Sequence, residues 1–244
     1  MKKILSAITF LALFSFSIWV FPVLAQDERP KGLEDRGPLT KITFIHYKDE
    51  KAKSPGASKD KGGSACYGYL ANGAKWKSNE SYFINPNNLS LKSADVKNAI
   101  DAGVAEWENY GGNIFGPGEL DKNAPYDTSI PDGLNVAAFG AYPDTNVIAV
   151  TTVWGYFYGP PRTRQIVEWD MLFNTGFQWG VNGDATDMDV QNIATHELGH
   201  SAGISDLYTT NCNLETMYGY STEGETIKRD LNKGDIAGIT ALYR

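Results

Sequence analysis

The residues best suited to chemistry stand together between Thr195 and Asp206, THELGHSAGISD, where His196 and His200 are four apart. On a helix that interval puts both imidazoles on one face, where they can share a metal ion. Zinc takes nitrogen, sulfur or oxygen ligands in a tetrahedron, and a catalytic zinc keeps its fourth position for water, so two histidines are one ligand short. Gly203 offers the turn that brings a third: glycine tolerates positive φ, can end the helix, and would send the chain back so that Asp206 supplies its carboxylate. Glu197, beside the first histidine, is placed to take a proton from water at the metal. The chain has three histidines. The third, His46, lies in the alternating segment TFIHY and reads as a strand histidine, while remaining the one imidazole that could replace Asp206.

The full pattern H-E-x-x-H-x-x-G-x-x-D resembles the zinc signature of the metzincin peptidases, in the aspartate variant shared by snapalysin-like enzymes. Met217, eleven residues beyond Asp206 in ETMYGY, resembles their methionine turn. Gly219 stands where matrixins often have proline and where astacins and serralysins have a tyrosine near the metal, so no such role passes to Tyr218 or Tyr220. The terminal stretch LNKGDIAGITALY is similar to the last helix of matrixins, with Gly234 in place of the first of two aspartates. That resemblance implies a secreted zinc endopeptidase of matrixin-like type acting on proteins or peptides. It would hold one catalytic Zn2+ on His196, His200 and Asp206, with Glu197 as general base and Met217 in support. The rival class is a secreted, non-catalytic binding or surface module with a structural metal; Glu197 argues against it, since a structural site needs no carboxylate beside an open position.

The elements that must position these residues can be read from periodicity. From Ser93, Val96, Ile100, Gly103, Val104 and Trp107 fall on one helical face, with Ser93 as a capping residue and Gly111-Gly112 as the stop. Lys41 to Tyr47, Ser81 to Ile84, Asn135 to Gly140, Asn146 to Phe157 and Arg164 to Asn174 alternate or are β-branched and aromatic, and read as strands. Asn232 caps a last helix with Ile236, Ile239 and Tyr243 inward. The order of elements is similar to that of metzincins. It implies an α+β fold with a twisted, mostly parallel sheet, long helices over 93–110 and 189–203, a methionine turn and a C-terminal helix. In that fold an edge strand above the metal pairs with an extended substrate, and the 146–157 segment is the candidate.

Residues 1–25 carry two lysines, an apolar run and the small-residue site Val23-Leu24-Ala25, as a secretory signal does; an uncleaved membrane anchor is the competing reading. Cleavage after Ala25 leaves 219 residues (244 minus 25) and a formal charge of −9 (20 basic minus 29 acidic). An acidic chain with 42% hydrophobic residues excludes a nucleic-acid surface and can bury a core. Residues 26–65 read as a charged tail, a strand and a lysine-rich linker, hence a candidate pro-segment, and 66–244 as the catalytic domain. Two cysteines, Cys66 and Cys212, in an oxidising compartment pair as a disulfide. The alternative is Cys66 on zinc, as a matrixin pro-segment cysteine is, but GGSACYGY lacks that sequence. Asp184, Asp187 and Asp189 could bind Ca2+, though the spacing is not that of an EF-hand and helix capping is the preferred reading. Asn79 and Asn88 begin glycosylation sequons.

Overall fold

A computed structural model describes residues 36–49, 66–87 and 89–244; the leader, the tail to residue 35, most of the lysine-rich linker and Asn88 lie outside them. A six-stranded sheet is built from β1 (Leu39–Tyr47), β2 (Glu80–Asn85), β3 (Phe115–Leu120), β4 (Val136–Gly140), β5 (Val147–Tyr156) and β6 (Gln165–Asn174). Its order is β1-β5-β6-β4-β2-β3. The β3-β2-β4-β6 half is parallel, and β5 and β1 are added antiparallel at the other end. The expected α+β fold with a mostly parallel sheet is the one observed.

Among the described residues three α-helices complete it: α1 (Ser93–Gly111), α2 (Val190–Ser201) and α3 (Lys233–Tyr243). In α1, Val96, Ile100, Val104 and Trp107 are buried, as their spacing requires. Its cap differs from expectation: Lys92 holds the N-cap position and no side chain caps the helix, Ser93 being its first residue. α2 is buried on nearly every side, being enclosed by α1, β5 and β6. Gly103 permits the crossing of α1 on α2, since a Cβ there would lie 2.9 Å from Thr195 Oγ1. The indole of Trp107 donates to the Thr195 carbonyl at 2.7 Å, fixing α1 to the residue before His196.

Asp189 caps α2 by accepting from Asn192 N at 2.9 Å, and the Arg229 guanidinium is paired with the same carboxylate. Asp187 accepts from Gln178 Nε2 and Thr186 Oγ1. These carboxylates serve the loop and helix cap, and among the described residues they form no group placed to hold a metal ion. Both faces of β6 are covered. Trp169, Met171 and Phe173 enter the main core, while Glu168 and Asp170 on the reverse face accept four backbone N–H groups from the 127–136 segment. Those bonds satisfy two buried carboxylates that would otherwise be left without partners, each a loss of about 1–3 kcal/mol.

Cys66 and Cys212 form a disulfide across 146 residues, so Cys66 is not a metal ligand. The 66–76 segment is thereby laid against α3 and the loop after α2. A Cβ at Gly234 would meet the Cys66 carbonyl at 2.1 Å, the physical reason for glycine where matrixins carry aspartate. Among the described residues no helix is long and apolar enough to cross a membrane.

Candidate active site

α2 presents His196 and His200 from its buried face, and each ring is fixed through its far nitrogen. His196 Nδ1 lies 2.7 Å from the Thr216 carbonyl and His200 Nδ1 lies 2.9 Å from the Ile204 carbonyl. A carbonyl only accepts, so both Nδ1 atoms carry the hydrogen and both Nε2 atoms keep a lone pair, the tautomer a metal ligand needs. The helix ends at Ser201, two residues short of the expected span, with Ala202 as its C-cap and the glycine reversal just beyond. Gly203 adopts φ +99°, and a Cβ there would sit 2.3 Å from the Ala74 carbonyl, so the reversal admits only glycine. Three residues on, Asp206 Oδ1 stands 3.2 Å from both Nε2 atoms while Tyr208 donates to its other oxygen at 3.1 Å.

These distances test whether the three residues fit zinc. Ligand bonds of about 2.0–2.2 Å in a tetrahedron put neighbouring ligand atoms roughly 3.3–3.5 Å apart, close to the separation seen. His196 Nε2 is buried without a hydrogen-bond partner although Asp206 is near, because the atoms converge on a common point and not on one another. The electrostatics agree. Burial pushes the Asp206 carboxyl up, but the flanking imidazoles outweigh it and hold it well below the usual range. Burial, with help from His46, lowers His196 to about 4. For His200 burial acts downward too, and the Asp206 charge overcomes it to raise the ring. An anionic oxygen wedged between two imidazole nitrogens is an arrangement that calls for a cation.

Glu197 is fully buried beside this triad. Its Oε2 accepts from Thr151 Oγ1 on β5 at 2.5 Å, and its Oε1 lies 3.0 Å from His46 Nδ1 on β1. Burial raises its carboxyl above the ordinary value against the pull of His196, His200 and Thr151. His46 is a strand residue, as read from the sequence, but no bystander. Its Nε2 meets Ser221 Oγ at 3.1 Å, Ser221 Oγ accepts from buried Lys228 at 2.8 Å, and its ring tilts against His196 at 4.0 Å between centroids. His46 also falls within ligand distance of His196 and Glu197, but it is Asp206 that meets both His196 and His200. Phe44, two residues earlier on the same face of β1, stacks on His200 at 3.8 Å. Thr151, Ser221, Lys228 and Phe44 were not found by sequence reasoning, because a threonine or phenylalanine in a strand carries no signal of what crosses it.

Met217 lies beneath the site, fully buried. Its turn is held from two sides. Thr216 N and Met217 N donate to Asp235 at 2.6 and 3.2 Å, and Leu207, the residue after Asp206, bonds Met217 O at 2.8 Å. The Thr216 carbonyl that orients His196 and the chain bearing Asp206 are therefore one hydrogen-bonded unit. Asp235, the aspartate retained in the last helix, is committed to this turn and to the α3 cap. Gly199 is where the turn touches α2: a Cβ there would fall 2.2 Å from Met217 Sδ and 2.6 Å from Trp107 Cζ2. Gly199→Ala is expected to cost about 1–3 kcal/mol by overpacking and to weaken zinc binding, since relief must move the helix between the two histidines. Urea unfolding and a zinc titration of the same variant check both effects.

Fold and site together resemble those of the matrixin-like metzincins. Residues 158–244 match the matrixin family model. The chain is similar to karilysin of Tannerella forsythia, 26% identical over 180 residues, which are 72% of this chain and 34% of that protein. It is also similar to stromelysin-2 of Rattus norvegicus, 25% identical over 170 residues (69% and 33%), and to the hatching enzyme of Paracentrotus lividus, 26% identical over 179 residues (72% and 27%). The chain spans about a third of the length of the curated relatives it matches.

Proposed function

We propose that this chain is a zinc endopeptidase acting on proteins or peptides, with His196, His200 and Asp206 as metal ligands and Glu197 as general base. The observation that carries the reading is the convergence of two tautomerically fixed imidazoles and one carboxylate oxygen at 3.2 Å spacings, with a buried carboxylate alongside. When bound, zinc supplies Lewis acidity toward water and the scissile carbonyl at the position that three protein ligands leave open. Glu197 takes the proton from water and hands it to the leaving amine. Thr151 steadies the carboxylate through its second oxygen, and the Met217 turn keeps His196 aimed. A secreted location is part of the proposal, supported by the leader-like residues 1–25 and by a disulfide that suits an oxidising compartment.

The test is a zinc titration of the purified chain combined with cleavage of dye-labelled casein. One zinc per chain is expected, with His200→Ala weakening its affinity by at least about 100-fold, more than the loss usual for a residue that only supports a ligand. A chelator should stop cleavage and added zinc restore it. A chain that takes up no zinc sinks the reading. Zinc held tightly with casein intact leaves a structural metal site in a binding module.

A further inference from the structure

The 146–157 segment, the candidate for a free edge above the metal, is paired with β1 along its length. An open cleft lies elsewhere, beyond the end of α2. It is a cavity of about 440 Å³ between the 75–79 segment, the residues after α1 and the last turn of α3, within the size range of clefts that take a small ligand. Its floor is apolar and fixed. Trp76, Ile114 and Tyr243 form it, and the Trp76 indole donates to the Ser201 carbonyl at 2.8 Å while the Tyr243 hydroxyl donates to the Ala202 carbonyl at 2.9 Å. The walls are cationic. Lys75 and Lys77 are two apart on an extended segment and so share one face. Lys75 donates to the Leu242 carbonyl and lies 5.4 Å from the Tyr243 ring centroid, and Lys77 donates to the Arg162 carbonyl at 3.4 Å. No carboxylate among the described residues pairs with either ammonium, although the whole chain carries a formal charge of −7. Glu80, the acid of the same segment, accepts instead from Ser78 Oγ at 2.9 Å. Burial, and then the charges of Lys75 and Arg36, hold Lys77 below its ordinary value. Asn79 and Asn113 complete the lining, and neither side-chain amide bonds another described residue.

We propose that this cleft binds an acidic saccharide, a sugar carrying carboxylate or sulfate groups, at a site separate from the metal triad. Two ammonium groups without a counter-charge suit the anionic substituents, to which they can make charge-assisted hydrogen bonds. Two unengaged amides, each able to donate and to accept, suit the hydroxyl groups between those substituents. The apolar floor suits the face of the ring. An acidic peptide fits less well. Extended peptides dock by pairing with a free strand edge, and the backbone here is already engaged: Lys75 bridges Gln165, its carbonyl accepts from Ile166 N at 3.0 Å, and Trp76 N donates to the Tyr243 hydroxyl at 3.2 Å. A saccharide held here would keep the chain on a polyanionic surface whatever the metal site does, so the inference goes beyond the peptidase reading and does not rest on it.

The experiment is a calorimetric titration of the full chain with a heparin-derived hexasaccharide, the chain being made without glycosylation because Asn79 begins a sequon. One site per chain is expected, weakening as salt rises. Lys77 is exposed, so its replacement spares the core. Losing a hydrogen bond to a charged group is worth about tenfold or more, and Lys77→Glu should weaken binding at least that much. Asn113→Ala keeps the charge and should weaken binding by about threefold or more, the loss of a neutral hydrogen bond. Lys122→Glu makes the same charge change beyond the far end of β3 and should bind as wild type does. Melting temperatures equal to that of wild type keep a folding defect out of the comparison. Absence of binding by wild type, or an equal loss in Lys122→Glu, overturns the proposal. Asn113→Ala binding like wild type overturns the saccharide and leaves a site that reads charge alone, and a poly-glutamate peptide of matched charge binding as tightly assigns the cleft to acidic peptides. Neither zinc nor cleavage enters the readout, so failure here leaves the peptidase reading standing.

Discussion

Glu197→Gln is expected to leave one zinc bound per chain and to slow peptide cleavage by about 100- to 10,000-fold, the range over which a positioned general base contributes. Glutamine keeps the shape of the fully buried side chain, and its carbonyl can still accept from Thr151. It cannot take a proton. The proposed triad of His196, His200 and Asp206 is left alone; Glu197 falls instead in a second group, with His46 and His196, whose donors also lie close enough to hold a metal. The comparison is made beside wild type, in which His46 Nδ1 lies 3.0 Å from Glu197 Oε1. Undiminished cleavage at equal zinc content would remove Glu197 from its role. Loss of zinc together with activity would make the carboxylate a support for the metal.

Much of the site was legible because its chemistry is local in sequence. His196, Glu197, His200, Gly203 and Asp206 lie within eleven residues, and a helix followed by a positive-φ turn is enough to gather them. The strands with alternating or β-branched residues were legible for the same reason. β3 was not: Phe115–Leu120 is FGPGEL, whose proline and glycines argue against a strand. It survives as an edge. Gly118 passes under the Tyr82 ring, where a Cβ would come within 2.4 Å, and at Gly116 a Cβ would come within 2.8 Å of the Ser81 backbone. The position of β1 was hidden for a different reason. Alternation fixes which residues share a face of a strand and says nothing of the strand's neighbours, so KITFIHY could be read as β without any hint that Phe44 and His46 would meet the two site histidines. The cap of α1 went astray by one residue, within the usual uncertainty of helix ends, because a serine at the boundary fits both the cap and the first turn.

Removing the disulfide is expected to have the largest effect on stability. A cross-link closing a loop of 146 residues lowers the entropy of the unfolded chain by an amount equal to about 5 kcal/mol in the chain-entropy limit, and native disulfides are usually found to contribute about 2–5. Cys66→Ser/Cys212→Ser should therefore lower the melting temperature by on the order of 10 °C. The effect should also reach the metal. Beyond the cross-link, the 66–70 segment is held to the loop after α2 by Ser205 N to the Gly68 carbonyl and Leu70 N to the Gly203 carbonyl, each about 3 Å, on either side of Ile204. The Ile204 carbonyl is the acceptor that orients His200. A loosened segment frees that carbonyl to move, and zinc affinity in the double serine variant should fall by about 10- to 100-fold, as it does when the partner of a ligating histidine is lost. Calorimetry with and without zinc separates the two effects: a variant that melts lower but keeps wild-type zinc affinity would show that the cross-link stabilises the fold without positioning the ligand.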